Sequence, residues 1–197
     1  IPVDGYKPEM LQKIKSKGFT VNRNKEDILN GEFNGTDVNI FIATNNNKVW
    51  RVAVLDANST DETNIKIRFN NLIKQFVNNE RYSIEADSTI AKYTIPKDED
   101  ISYEITVNKK RYDAVFYQKS LKYDALNKEK ETLLAKEKLH DKEKERIGDL
   151  IVEMFSESMN SINKQVWFMI NEEYGKYSIV IYYDNAYNKA NGKGLWC

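Results

Sequence analysis

Residues 38–56 read VNIFIATNNNKVWRVAVLD, with apolar and polar side chains alternating on both sides of three asparagines. A period of two suits a strand, whose successive side chains point to opposite faces, and does not suit a helix. Val38, Ile40 and Ile42 fall on one face; Asn39, Phe41 and Ala43 fall on the other. Asparagine tolerates the positive φ that a tight turn requires. The stretch therefore predicts a hairpin, with its second strand over 48–55 and Trp50, Val52 and Val54 on one face. The device returns at 165–184, where QVWFMI and KYSIVIYYD flank NEEYG. Sliding one hairpin onto the other sets Phe168 on Phe41. With one residue inserted in the turn, Lys176 meets Lys48 and Asp184 meets Asp56. A further alternating pair, ISYEITV and RYDAVFYQ around NKK, predicts a hairpin over 101–118.

A hairpin with one apolar face is marginal alone, so several of them predict one antiparallel sheet covered by helices. Three stripes supply the helices. After Pro8, Met10, Leu11 and Ile14 predict a helix over 8–17 that Gly18 ends. Ile65, Phe69, Leu72, Ile73, Phe76 and Val77 predict a helix over 64–79. Ile147, Leu150, Ile151, Met154, Phe155 and Met159 predict a core-facing helix over 147–162. The fold class is α+β: an antiparallel sheet built from hairpins, helices on one face, and a charged helical arm. Residues 1–197 are expected to form a single domain. Two similar α/β-hairpin submodules, 1–118 and 147–197, can be drawn within it, joined by 119–146.

That joining segment is dominated by Lys and Glu over 128–146. Its few apolar residues are too sparse to offset the ordering entropy of a packed helix, so it reads as an exposed helix or helical hairpin. Leu126, Leu133, His140, Ile147 and Met154 lie seven apart, the spacing of a short heptad seam. Gly148 marks the place for a bend. The solvated arm is the preferred reading over a partner-binding coiled coil; a job for it, if it has one, would be contact with a second copy or a partner through Leu126, Leu133 and Leu139.

Composition narrows the chemistry. Thirty Lys and Arg balance thirty Asp and Glu, so no global field draws nucleic acid or an anionic membrane. One histidine, His140, and one cysteine, Cys197, cannot build a multi-histidine metal site or an internal disulfide. His140 reads as a solvated helical residue and Cys197 as a tail residue. Asp56 and Asp184, each closing a strand, read as turn or N-cap residues. GEFNG at 31–35 lacks the Lys-Ser and the following helix of a phosphate loop and reads as a turn. Tyr103, Tyr112, Tyr117, Tyr182 and Tyr183 are placed on strands, as packing aromatics rather than an RNA platform. Asn34-Gly-Thr and Asn58-Ser-Thr match an N-glycosylation pattern at the rate an Asn-rich chain gives by chance. No catalytic, cofactor-binding or metal-binding residue is assigned. No run reaches the 18 or so apolar residues of a membrane span.

IPVDG before a short helix ending KSKGF, then GEFNG, KVWRVAV, a helix ending near Phe76 and the late YSIVIYYDNAYN together resemble an uncharacterised family of small exported proteins of gut Bacteroidetes. That resemblance implies a periplasmic or cell-surface, lipid-anchored setting and no assigned activity. The layout is also similar to β-lactamase-inhibitor-like modules, in which a helix pair packs on an antiparallel sheet. Ile1 in place of Met, and an O-glycosylation-like Asp87-Ser88-Thr89, agree with export. The expected function is a non-enzymatic binding or protein-interaction module of the envelope, with a protein or glycan partner. The alternative is a carboxylate-based hydrolase of glycans, which needs two acids about 5–10 Å apart in a cleft.

Overall fold

The computed structural model describes residues 3–23, 25–84 and 89–191. Asp87 and Ser88 of the O-glycosylation-like stretch, together with Ile1 and Cys197, lie outside the described residues. Three two-residue turns organise the sheet. Asn34-Gly35 joins β2 (Lys25–Phe33) to β3 (Thr36–Asn45), Asn46-Asn47 joins β3 to β4 (Lys48–Asp56), and Tyr174-Gly175 joins β7 (Lys164–Glu173) to β8 (Lys176–Asn185). All six turn residues have positive φ, from 47° at Asn46 to 73° at Gly35. Two positive φ angles in succession give the type I′ turn, whose twist matches that of the strands it joins. With β1 (Thr20–Asn22), β5 (Tyr82–Ile84) and β6 (Asp113–Gln118), the strands form one antiparallel sheet in the order β1-β2-β3-β4-β8-β7-β6-β5. The late hairpin is thus inserted between β4 and β6.

The hairpin expected over 101–118 is half wrong. ISYEIT forms a helix, α4 (Ile101–Thr106), which follows the short α3 (Ile90–Tyr93) and is started by Asp100, whose carboxylate accepts from the Tyr103 N–H at 2.9 Å. Ile101 and Ile105 are four apart as well as being part of an alternating run, and both reach the core. A six-residue stretch cannot separate the two periods. Tyr103 therefore sits on a helix and Tyr112 just before β6, not on strands.

One face of the sheet carries Val38, Ile40, Val52, Val54, Phe116, Val166, Phe168, Ile179 and Ile181, all buried. Onto it pack α1 (Lys7–Lys15), through Met10 and Ile14, and α2 (Glu62–Val77), through Ile65, Phe69, Leu72, Ile73 and Phe76. Asp61 starts α2 by accepting from the Asn64 N–H at 2.8 Å. Phe168 is the hub, with ring centroids 5.2 Å from Phe69, 5.6 Å from Phe76 and 6.0 Å from Phe116.

The helix expected to cover the sheet over 147–162 does not do so. It belongs to α6 (Asp141–Ile162), which runs without a break through Gly148 and packs on α5 (Leu121–Leu134) as a helical hairpin. Leu126, Leu150 and Met154 form a small separate core there, with Tyr123 and Leu133 beside it. The seven-residue spacing is closed within this hairpin, because the chain reverses before His140, the N-cap of α6. At 100° per residue, Ile151, Phe155, Met159 and Ile162 lie well round the helix from Leu150. Slender α5 cannot cover them, and they stay between 47% and 57% exposed except Phe155, at 69%.

The arm interrupts two strands that are already neighbours. Tyr117 of β6 pairs with Gln165 of β7, so Lys119 and Asn163 stand opposite each other at its root. Replacing residues 120–162 by Asn-Gly should therefore close an ordinary two-residue hairpin. Because the arm has its own core, the melting temperature is expected to move by only a few degrees, with the helical signal of α5 and α6 lost from circular dichroism. Loss of cooperative unfolding would show that the arm is part of the main core.

Candidate binding face

The two hairpins that look alike in sequence are used with opposite faces. Phe41 pairs with Ala53 and Phe168 with Ile181, so the aligned strands keep their pairing. Phe168 is fully buried, whereas Phe41 is 36% exposed on the other face. Nor is the extra residue in a turn, since both turns have two residues. It is absorbed by a bulge between Ala43 and Thr44. A one-residue offset flips every side chain to the other face.

Asp56 and Asp184 follow the same rule, and neither is a helix cap. Asp56 lies on the helix-covered face, where it takes a two-pronged bond from Arg68 (2.6 and 3.1 Å) and the Ile179 N–H at 2.9 Å. Asp184 lies on the open face, bound by Arg51 through two 2.6 Å bonds and by the Trp167 indole N–H at 3.0 Å. On opposite sides of the sheet, these two carboxylates cannot flank one substrate bond.

Cross-strand register arranges the open face in three rows. The middle row runs Ile28, Phe41, Ala53, Tyr182, Trp167, Val115 over six strands. Beside it run Ala43, Arg51, Asp184, Gln165, Tyr117 and Ser83. On the far side are Asn30, Asn39, Leu55, Val180, Met169 and Asp113. With strands about 4.8 Å apart, the middle row spans about 24 Å. The apolar residues of this face are mostly half-buried, and α1 and α2 lie on the opposite side.

Arg51 is the fixed point of the face. Its guanidinium lies 4.3 Å from the Tyr182 ring centroid, 4.8 Å from Trp50 and 5.5 Å from Trp167. The Asp184 hydrogen bonds raise its pKa above the ordinary arginine value. Lys189 of α7 (Ala186–Asn191) sits 5.1 Å from the Trp50 ring. Trp167 and Tyr182 lie 4.3 Å apart between centroids, their planes tilted by 33°. The aromatic planes are thus held by ion pair, indole hydrogen bond and cation–π contact before any ligand arrives. At the β5 end, Ser83 and Tyr117 open into a cleft of about 630 Å³ whose other wall is Tyr123, Asp124, Ser158, Ser161 and Ile162 of the arm.

A general acid needs a raised pKa. Asp4, Asp61, Glu99, Glu129, Glu143 and Glu157 are all shifted the other way. At Glu99, burial pushes the pKa up, but hydrogen bonds from Lys110 and the Tyr112 hydroxyl outweigh it. His140 is in the arm, and the described residues hold no cluster of three His, Cys, Asp or Glu side chains fit for a metal. GEFNG spans the end of β2 and the Asn34-Gly35 turn. No helix among the described residues is long and apolar enough to cross a membrane. No family model, curated protein or solved structure matches the chain.

The sequence pointed to Tyr117 and Tyr182 as strand aromatics but not to Trp167, Arg51 and Asp184 as a unit. Only the β4–β8 pairing, between strands more than a hundred residues apart, brings them together.

Proposed function

We propose that the protein is a non-enzymatic binding module that takes an extended, largely neutral ligand, a glycan strand, along the open face of its sheet. The observation that carries this reading is the row from Phe41 through Tyr182 and Trp167 to Val115, flanked by amide and hydroxyl side chains. Flat aromatic faces suit the apolar C–H faces of sugar rings, and Asn30, Asn39, Gln165 and Ser83 suit their hydroxyls. Arg51 is already neutralised by Asp184, so it is not a free cation for a phosphate backbone. The hydrolase alternative gains nothing from Asp56 and Asp184, which are separated by the sheet. A bacterial-envelope setting is part of the proposal, on the strength of the resemblance noted above, and cell fractionation tests it.

The test is a glycan array probed with the wild-type chain and with Trp167→Ala/Tyr182→Ala. The wild type is expected to retain linear neutral glycans unchanged, and the double variant to lose at least tenfold in affinity while still folded by circular dichroism. Equal binding by both, or release of shorter products from the glycan, would overturn the proposal.

A further inference from the structure

The cleft beside the arm closes one end of the open face. Its floor continues the row that runs from Gln165 through Tyr117 to Ser83. Its far wall comes from both helices of the arm, with Tyr123 and Asp124 on α5 and Ser158, Ser161 and Ile162 on α6. The two helices pack on each other around Leu126, Leu150 and Met154, so a chain entering from the sheet cannot pass between them. A ligand that lies over Trp167 and turns into the cleft stops against the arm.

At about 630 Å³ the cleft is the size of an ordinary small-ligand site. Its lining is mixed in the way a sugar ring is mixed. Tyr117, Tyr123 and Ile162 offer apolar surface, while Ser83, Ser158 and Ser161 bring hydroxyls that both donate and accept. Lys119 and Asp124 also line it. Neither belongs to an ion pair among the described residues, although Lys122 close by is paired with Glu157 at 3.2 Å. An anionic ligand would meet the Asp124 carboxylate and a cationic one the Lys119 ammonium, each a like-charge opposition. A polyol escapes both, because its hydroxyls donate to the carboxylate and accept from the ammonium. Building on the glycan-binding reading of the open face, we propose that the cleft holds the terminal sugar of the strand, so that the protein grips a chain end rather than the middle of a chain. The arm is then the end-stop that sets this specificity.

Calorimetry on the full chain tests it, with linear neutral chains of glucose, mannose, xylose and N-acetylglucosamine as probes. Each is supplied as a series from short oligomers to polymers many times longer than the aromatic row. In a series that binds, one protein per glycan chain is expected at every length, because each chain has a single matching end. Ser161→Trp, which fills the cleft from a half-buried position, should weaken binding at least tenfold. Asp124→Ala, at an exposed position that leaves folding intact, should weaken it about tenfold, as loss of a hydrogen bond to a charged group does. A number of bound proteins that rises with chain length would overturn the end-stop and leave the open-face reading standing, as would unchanged affinity in both variants. Binding by none of the series would overturn both.

Discussion

Replacing Asp56 by alanine is expected to cost about 3–5 kcal/mol of stability, read as a drop in the denaturant midpoint with the slope unchanged. Its side chain is 5% exposed and that of Arg68 is 16% exposed, so removing the carboxylate leaves a guanidinium largely cut off from water. The loss is wider than one ion pair. Asp56 also accepts from the Ile179 N–H on β8, and Arg68 donates to the Thr36 hydroxyl at 2.6 Å. One carboxylate thus ties together β3, β4, α2 and β8. Asp61→Ala, which removes only the helix cap from an exposed side chain, should cost clearly less. Equal effects of the two substitutions would mean that the Asp56 network contributes little.

Phe168→Ala should be about as damaging, at about 3–5 kcal/mol, because the lost ring leaves a cavity as well as lost transfer energy. Phe69, Phe76 and Phe116 all border the space, and Phe76 and Phe116 cannot fill it without breaking their own stacking on each other. Phe41→Ala, the same position in the aligned hairpins, should cost less than about 1 kcal/mol in urea unfolding, since surface changes usually fall within about 0.5 kcal/mol. The contrast follows from the flipped faces. If the two alanine variants lost equal stability, the open face would be buried in solution.

The hairpins at 38–56 and 165–184 were legible because long alternation and Asn-rich turns agree at every level. Helices α1 and α2 were legible from their stripes and stops. ISYEIT was misread because six residues with Ile at positions one and five satisfy both periods. The stripe ending at Ile162 was rightly read as helical, but amphipathicity says that a face wants cover and not what supplies it. The partner turned out to be α5, a neighbour in sequence, rather than the sheet. Asp56 and Asp184 show the same limit. Both are visible as strand-closing acids, yet which face each one takes depends on a one-residue bulge. Arg51, Trp167 and Tyr182 are far apart along the chain, and no local pattern links them.

The open face is tested most directly by following the indole N–H of Trp167 and the guanidinium of Arg51 by NMR while a glycan retained on the array is added. The account predicts that these signals shift together with those of Phe41, Tyr182 and Val115, while the ring signals of Phe69 and Phe116 stay fixed. Shifts confined to the arm or to the α1–α2 side, with Trp167 and Arg51 unmoved, would contradict it.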